Sequence, residues 1–161
     1  MSANVVVREA VASDVDGIHA IEVACFSQPW RREAFRDLIL GGGGRVLVAT
    51  VAGRLEGYVV AVGAADEAEI ANLAVAPGGR RRGTGLRLVE AALADARRRG
   101  VRQVFLEVRA SNVAAQGLYQ QFGFEAVAVR RAYYELPTED AVVMRCRLFD
   151  AAPHGDARLA T

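Results

Sequence analysis

Three groups of residues carry side chains suited to chemistry. The stretch "GGRRRGTG", residues 78 to 85, places Arg80, Arg81 and Arg82 between glycine pairs. An apolar strand-like run precedes it and a helix-like run follows. Such a loop aims unpaired backbone N–H groups, with the positive end of the helix dipole, at whatever lies in front of it. Gly83 and Gly85 allow close approach, which suits a phosphate or pyrophosphate. A solvated turn with arginines facing water reads the loop equally well. It is neither a P-loop, since the chain has no lysine, nor a dinucleotide fingerprint, since Leu88 stands where a third glycine is needed.

The second group is "QVFLEVRASN". Strand alternation puts Val104, Leu106 and Val108 on one face and Phe105, Glu107 and Arg109 on the other. A carboxylate at mid-strand beside an aromatic can act as a general base when partly desolvated. Read in isolation it is more simply half of an ion pair with Arg109 or another nearby arginine. The third is Tyr119, on a helical stripe with Gln116 and Phe122. Its hydroxyl could protonate a leaving thiolate, or simply pack with its tip at the surface.

The elements that must position these groups follow from periodicity. "VVVREA" reads as a strand. Ser13 or Asp14 then caps a helix with Ile18, Ile21 and Cys25 on one face. Trp30, Phe35, Leu38 and Ile39 continue at helical spacing until the glycines at 41 to 44. "RVLVAT" and "LEGYVVAVG" form a hairpin across "VAGR", polar "ADEAE" follows, and "IANLAVAP" is the next strand. A helix runs from Gly85 to Arg99, with Leu86, Val89, Leu93 and Ala96 inward and Gly100 as its stop. After the Glu107 strand comes a helix opened by Ser111 or Asn112. "FEAVAVRRAYY" and "AVVMRCRLF" then make a final antiparallel pair. The expected fold is mixed α/β (α+β): a mostly antiparallel central sheet flanked by about four helices, with one strand–helix–strand crossover carrying the loop. Residues 1–149 form one domain, and residues 150–161, which lack periodicity, form a flexible tail.

The 161 residues are 52% hydrophobic and 24% charged, with a net charge of +1. Such a balance draws the chain onto neither nucleic acid nor membrane. No signal peptide is read in "MSANVVVREA" and no apolar run spans a bilayer, so a cytoplasmic protein is expected. Cys25 and Cys146 are too few for a disulfide framework and read as core. His19 and His154 lack partners at ligand spacing, so no metal is expected.

"NLAVAPGGRRRGTGLRLVEAAL" resembles the acetyl-CoA-binding segment of the GNAT superfamily of N-acetyltransferases, with Arg80, Gly83 and Gly85 at the R/Q-x-x-G-x-G/A positions. "FLEVRASNVAAQGLYQQFGF", "VRRAYY", "EDAVVM" and "PWRREAF" resemble its RimI-type branch, the ribosomal-protein-alanine N-acetyltransferases. The similarity covers about residues 5 to 149. Gly78 and Gly79 depart from it, standing where bulkier residues are usual, which bears on the rigidity of the loop. The resemblance implies acetyl-CoA as co-substrate, held without a metal. Leu73 and Val75 would pair through their backbones with the pantetheine arm, and Arg81, Arg82, Gly83, Thr84, Gly85 and Leu86 would present N–H groups to the pyrophosphate. Asn112 would hydrogen-bond the coenzyme, Glu107 would accept the amine proton through water, and Tyr119 would protonate the thiolate.

In "RRAYYELPTED", Tyr133 and Tyr134 are expected to wall a peptide groove, with Glu135 or Glu139 holding an N-terminal ammonium. On spacing alone a hairpin loop with tyrosines packed on the sheet fits equally. The implied activity is transfer of acetyl to the N-terminal alanine of a small-subunit ribosomal protein by a monomer, with neither nucleic acid nor membrane as partner. The alternatives are an acetyltransferase acting on lysine side chains or a small amine, and a non-catalytic acyl-CoA-binding regulatory module.

Overall fold

The computed structural model describes residues 4–80 and 82–149, so Arg81 and the tail expected at 150–161 lie outside the described residues. The elements run β1 Val5–Glu9, α1 Val15–Cys25, α2 Arg32–Gly41, β2 Arg45–Val51, β3 Arg54–Ala64, β4 Glu67–Val75, α3 Thr84–Arg98, β5 Gln103–Arg109, α4 Val113–Gln120, β6 Glu125–Tyr134 and β7 Glu139–Arg147. The strands form one seven-stranded sheet in the order β1-β2-β3-β4-β5-β7-β6. Its ladders are antiparallel except β4–β5, which α3 connects as a crossover.

Alternation along the strands divides the core between the two faces of the sheet. On one face α3 and α4 bury Leu88, Val89, Leu93 and Tyr119 against Val59, Ile70, Leu106 and Val108. On the other, α1 and α2 bury Ile18, Ile21 and Phe35 against Val46, Val48, Tyr58 and Val60. The expected periodicities are therefore seen, with shifts at element ends. Trp30 precedes α2, yet its ring still packs on Phe35 at 5.4 Å. β4 begins at Glu67, inside the stretch read as polar, because a tight turn with Ala65 at φ 58° lets Glu67 pair with Ala64. Asp14 does precede α1, but its side chain does not cap that helix. Its carboxylate accepts instead from Val11 N–H at 2.8 Å and from Arg8, whose guanidinium holds it below the usual carboxylate range.

Burial raises three tyrosine hydroxyls above their ordinary value, Tyr119 and Tyr134 up to about 12 and Tyr58 further. It raises the Cys146 thiol as well. With no lysine in the chain, these groups dominate the alkaline limb. In the unfolded chain they ionise from about pH 8.5 to 10. Stability is therefore complete below that range and lost as the pH rises through the folded values. Urea unfolding should show a lower midpoint at about pH 11 than at about pH 8. An unchanged midpoint would mean these groups are as well solvated as in the open chain.

Candidate active site

A gap in the sheet organises the site. β4 and β5 pair only from Glu67–Gln103 to Ile70–Leu106, although both strands continue. The cause is visible in the β3–β4 register, where Ala61 faces Ile70 but Val60 faces Asn72. Ala71 is thus an extra residue, a β-bulge that bends its strand and sharpens the local twist. Past it, β4 diverges from β5. The β3–β4 ladder ends with Ala76 N–H donating to Glu56 C=O at 2.7 Å. By ladder alternation the backbone polar groups of Leu73 and Val75 then turn away from β3, into the gap. Such an open edge needs a partner. Val75 C=O is already met by Cys25 Sγ and by Arg80 Nε, each at 3.4 Å.

The arginine–glycine loop leaves the same end of β4. Gly83 precedes α3 at φ +78°, a left-handed conformation that favours glycine. The first N–H groups of α3 consequently face outward without intrahelical partners. A Cβ added to Gly85 would lie 3.5 Å from Leu118 and 3.7 Å from Val75, so α3, α4 and β4 converge there. Arg82 is turned to Glu56 at 3.2 Å, and Arg80 to Val75 C=O. These two arginines thus engage the protein itself, which leaves the backbone N–H groups as the loop's other donors. The Thr84 side chain is buried beneath the loop.

Glu56 also accounts for one of the two unusual glycines. Its carboxylate is 8% exposed, and a Cβ on Gly79 would fall 2.7 Å from Oε2. The loop is therefore braced by a buried carboxylate that would have to shift to admit a side chain at 79. No neighbour stands near Gly78, and its identity has no structural account.

Glu107 lies on the α1/α2 face, its side chain 15% exposed, with Arg130 Nε at 3.0 Å. The ion pair read from the sequence is thus present, with Arg130 rather than Arg109 as the partner. The Tyr133 hydroxyl is raised chiefly by the nearby Glu107 carboxylate. Glu69 is raised by burial and by the Glu107 charge. Glu69, Phe105, Glu107, Arg130 and Val143 line an open cavity of about 410 Å³.

Tyr119 lies on α4, on the opposite face. It is 8% exposed, packs edge-on against Phe124 at 5.6 Å, and has no hydrogen-bond partner among the described residues. Burial keeps its hydroxyl protonated across the neutral range. Asn112 caps α4, its Oδ1 accepting from Ala115 N–H at 3.1 Å.

The 130 to 140 segment is more tightly tied than a free hairpin. Arg109 stacks over Tyr134 at 4.5 Å and donates to the carbonyls of Glu135 and Pro137, each at 3.0 Å. Glu139 accepts from Ser111 N–H and pairs with Arg109 at 3.4 Å, so its carboxylate is committed within the protein. Tyr134 is half-buried under Arg109, whereas Tyr133 reaches Glu107 and the Glu135 side chain is exposed.

The structure thus brings Glu107 and Tyr133 together on one face, and residues 82–86 and Tyr119 on the other. Leu73 and Val75 form the margin between them. Sequence reasoning did not single out Arg130 and Glu56, the partners of Glu107 and Arg82, nor the buried Glu22. For Glu22 a signal existed: it continues the apolar stripe of Ile18 and Ile21, where a charge is out of place.

Known proteins resemble this chain in sequence and fold. Residues 15–124 match the model of the Acetyltransferase (GNAT) family. The ribosomal protein bS18-alanine N-acetyltransferase of Escherichia coli K12 is 36% identical over 138 residues, covering 82% of this chain and 90% of that protein. A Bacillus subtilis protein given the same name provisionally is 34% identical over 145 residues, covering 89% of this chain and 96% of its own. The crystal structure of the Escherichia coli ribosomal-protein-alanine enzyme superposes with a TM-score of 0.86 at 30% identity, covering 94% of this chain and 98% of that one.

Proposed function

This chain belongs to the acetyltransferase (GNAT) family, and from that premise we propose that it transfers acetyl from acetyl-CoA to the N-terminal alanine of ribosomal protein bS18, the acceptor its relatives are named for. The observation that carries the reading is the gap between β4 and β5, with Glu107 at its edge on one face of the sheet, while the buried Tyr119 belongs to the other face. Residues 1–149 act as one catalytic domain, in the cytoplasm where ribosomal proteins are made. Among the described residues no helix is long and apolar enough to cross a membrane.

The chemistry follows from these placements. The open backbone edge at Leu73 and Val75 suits the amides of a pantetheine arm. The N–H groups of residues 83–86 suit the pyrophosphate, with Arg82 adding positive charge and Asn112 a further polar contact. The amine nitrogen attacks the thioester carbonyl carbon, a C–N bond forms and the C–S bond breaks. Glu107 takes the proton the amine loses, and Tyr119 gives one to the departing sulfur, leaving an acetylated peptide and free coenzyme. An α-amine, with an ordinary pKa near 8 against about 10.4 for lysine, needs only a modest base near neutrality.

The test offers acetyl-CoA with two peptides, followed by intact mass. One begins with free alanine and continues with the ribosomal sequence; the other has a blocked N-terminus and an internal lysine. Acetylation of the first alone is expected. Acetylation of the second alone would replace the acceptor while leaving fold and coenzyme in place. If acetyl-CoA binds and neither peptide reacts, the acceptor is a small amine or the protein is an acyl-CoA-binding module.

A further inference from the structure

A buried carboxylate with no role in the reaction above lies behind the acceptor side of the gap. Glu22, on α1, is 1% exposed and forms no ion pair with an arginine among the described residues. Three donors converge on it: the Tyr58 hydroxyl, Asn72 Nδ2 at 2.7 Å, and Trp30 backbone N–H at 3.3 Å. A carboxylate can only accept. Asn72 must therefore show it the amide NH₂, which fixes the rotamer of that amide and turns Oδ1 the other way.

The position of Asn72 gives that orientation a use. It is the first residue of β4 past the Ala71 bulge, where the strand has just left β5. Its side chain is on the α1/α2 face, as is that of Glu107 on the far side of the gap. Had pairing continued from Ile70–Leu106, Glu107 would stand opposite Ala71, next to Asn72. Asn72 Oδ1 has no partner among the described residues and is not enclosed.

We propose that Asn72 is a catalytic residue that orients the acceptor amine, its Oδ1 accepting one N–H while Glu107 takes the proton that is lost, and that Glu22 is the positioning residue that sets the Asn72 amide. The inference rests on the acetyl-transfer reading and adds to it. An amine attacks productively only when its lone pair faces the carbonyl carbon. With one N–H directed to Glu107 and a second to Asn72, rotation about the Cα–N bond is stopped in that pose. The same carboxylate holds the backbone at Trp30, so the segment joining α1 and α2 is tied to the residue that meets the amine.

Steady-state kinetics of wild type, Asn72→Ala, Asn72→Ser, Glu22→Gln and the Glu22→Gln/Asn72→Ala double variant test this, with acetyl-CoA binding by calorimetry and thermal melts alongside. Each single variant is expected to lower kcat/KM for the acceptor about 10- to 100-fold, leaving acetyl-CoA affinity within about twofold. Glu22→Gln leaves one accepting oxygen for three donors that are divided between Oε1 and Oε2, so the Asn72 amide is no longer held to a single orientation. The double variant should be no worse than Asn72→Ala, because the two residues act as one unit. Acceptor kinetics within about twofold of wild type, an equal loss of coenzyme affinity, or additive effects would overturn the assignment. Should wild type ignore the alanine peptide, the acceptor proposed above is wrong, and the same variants are compared on the lysine or small amine that it does acetylate. If it acetylates no amine, both readings fall.

Discussion

Glu107→Gln should reduce kcat for the alanine peptide by about 100- to 10,000-fold while leaving the dissociation constant for acetyl-CoA unchanged. Glutamine keeps the shape of the side chain but cannot take a proton. Glu107 lies on the α1/α2 face, away from the α3 N-terminus, so the coenzyme should not register the change. The competing role, a structural ion pair with Arg130 at 3.0 Å, predicts something else. The Arg130 side chain is 59% exposed, and an exposed pair of this kind contributes at most about 1 kcal/mol. If the pair were the whole purpose of Glu107, the variant would melt slightly earlier and turn over normally. Single-turnover acetylation beside calorimetric titration of acetyl-CoA separates the two: an unchanged rate would remove Glu107 from the chemistry.

Tyr119→Phe is expected to lower kcat about 100-fold, and the loss should shrink when the acetyl donor carries a more acidic thiol. A thiolate that leaves readily needs little protonation, so the missing hydroxyl matters less. The pH profile carries a second expectation. The active form is the protonated hydroxyl, and burial places its titration at about 12. Activity tied to Tyr119 is therefore present across the neutral range and lost only as the pH rises through about 12. Wild type and variant should then share one profile shape up to about pH 10. Packing gives the alternative, since the Tyr119 ring lies against Phe124 at 5.6 Å. Phenylalanine preserves that contact. A purely structural tyrosine would thus leave the rate unchanged with every donor, and that result would end its role as the acid.

The main elements were legible because two periods with different physical origins report on them. Alternation in "QVFLEV" separates Val104, Leu106 and Val108, all buried, from Glu107. Helical spacing marks Val89, Leu93 and Ala96 on the face that α3 lays on the sheet, although Leu88 and not Leu86 is the leucine buried in its first turns. The gap was not legible as such. A bulge at Ala71 changes no residue type and appears only as a shift of one in the β3–β4 register. The Glu107 partner was out of reach for a related reason. Arg109 is near in sequence but turns to the 135–139 turn, while Arg130 arrives from β6, which reaches the region only through β7.

The sequence by itself determined the order and kind of the elements, the face on which Glu107 lies, the start of α3 to within one residue, and the resemblance that named acetyl-CoA. Those properties are local, since hydrophobic period and turn chemistry act over a few neighbouring residues. Tertiary structure alone decided that Glu22, Tyr58 and Asn72 form one buried cluster, that Glu56 fills the space a side chain at 79 would need, and that β4 leaves β5 just where Glu107 follows Leu106. Their cause is the burial of polar groups brought together from distant parts of the chain. A carboxylate enclosed in the fold must find donors wherever the packing provides them, and no local period records where those donors are.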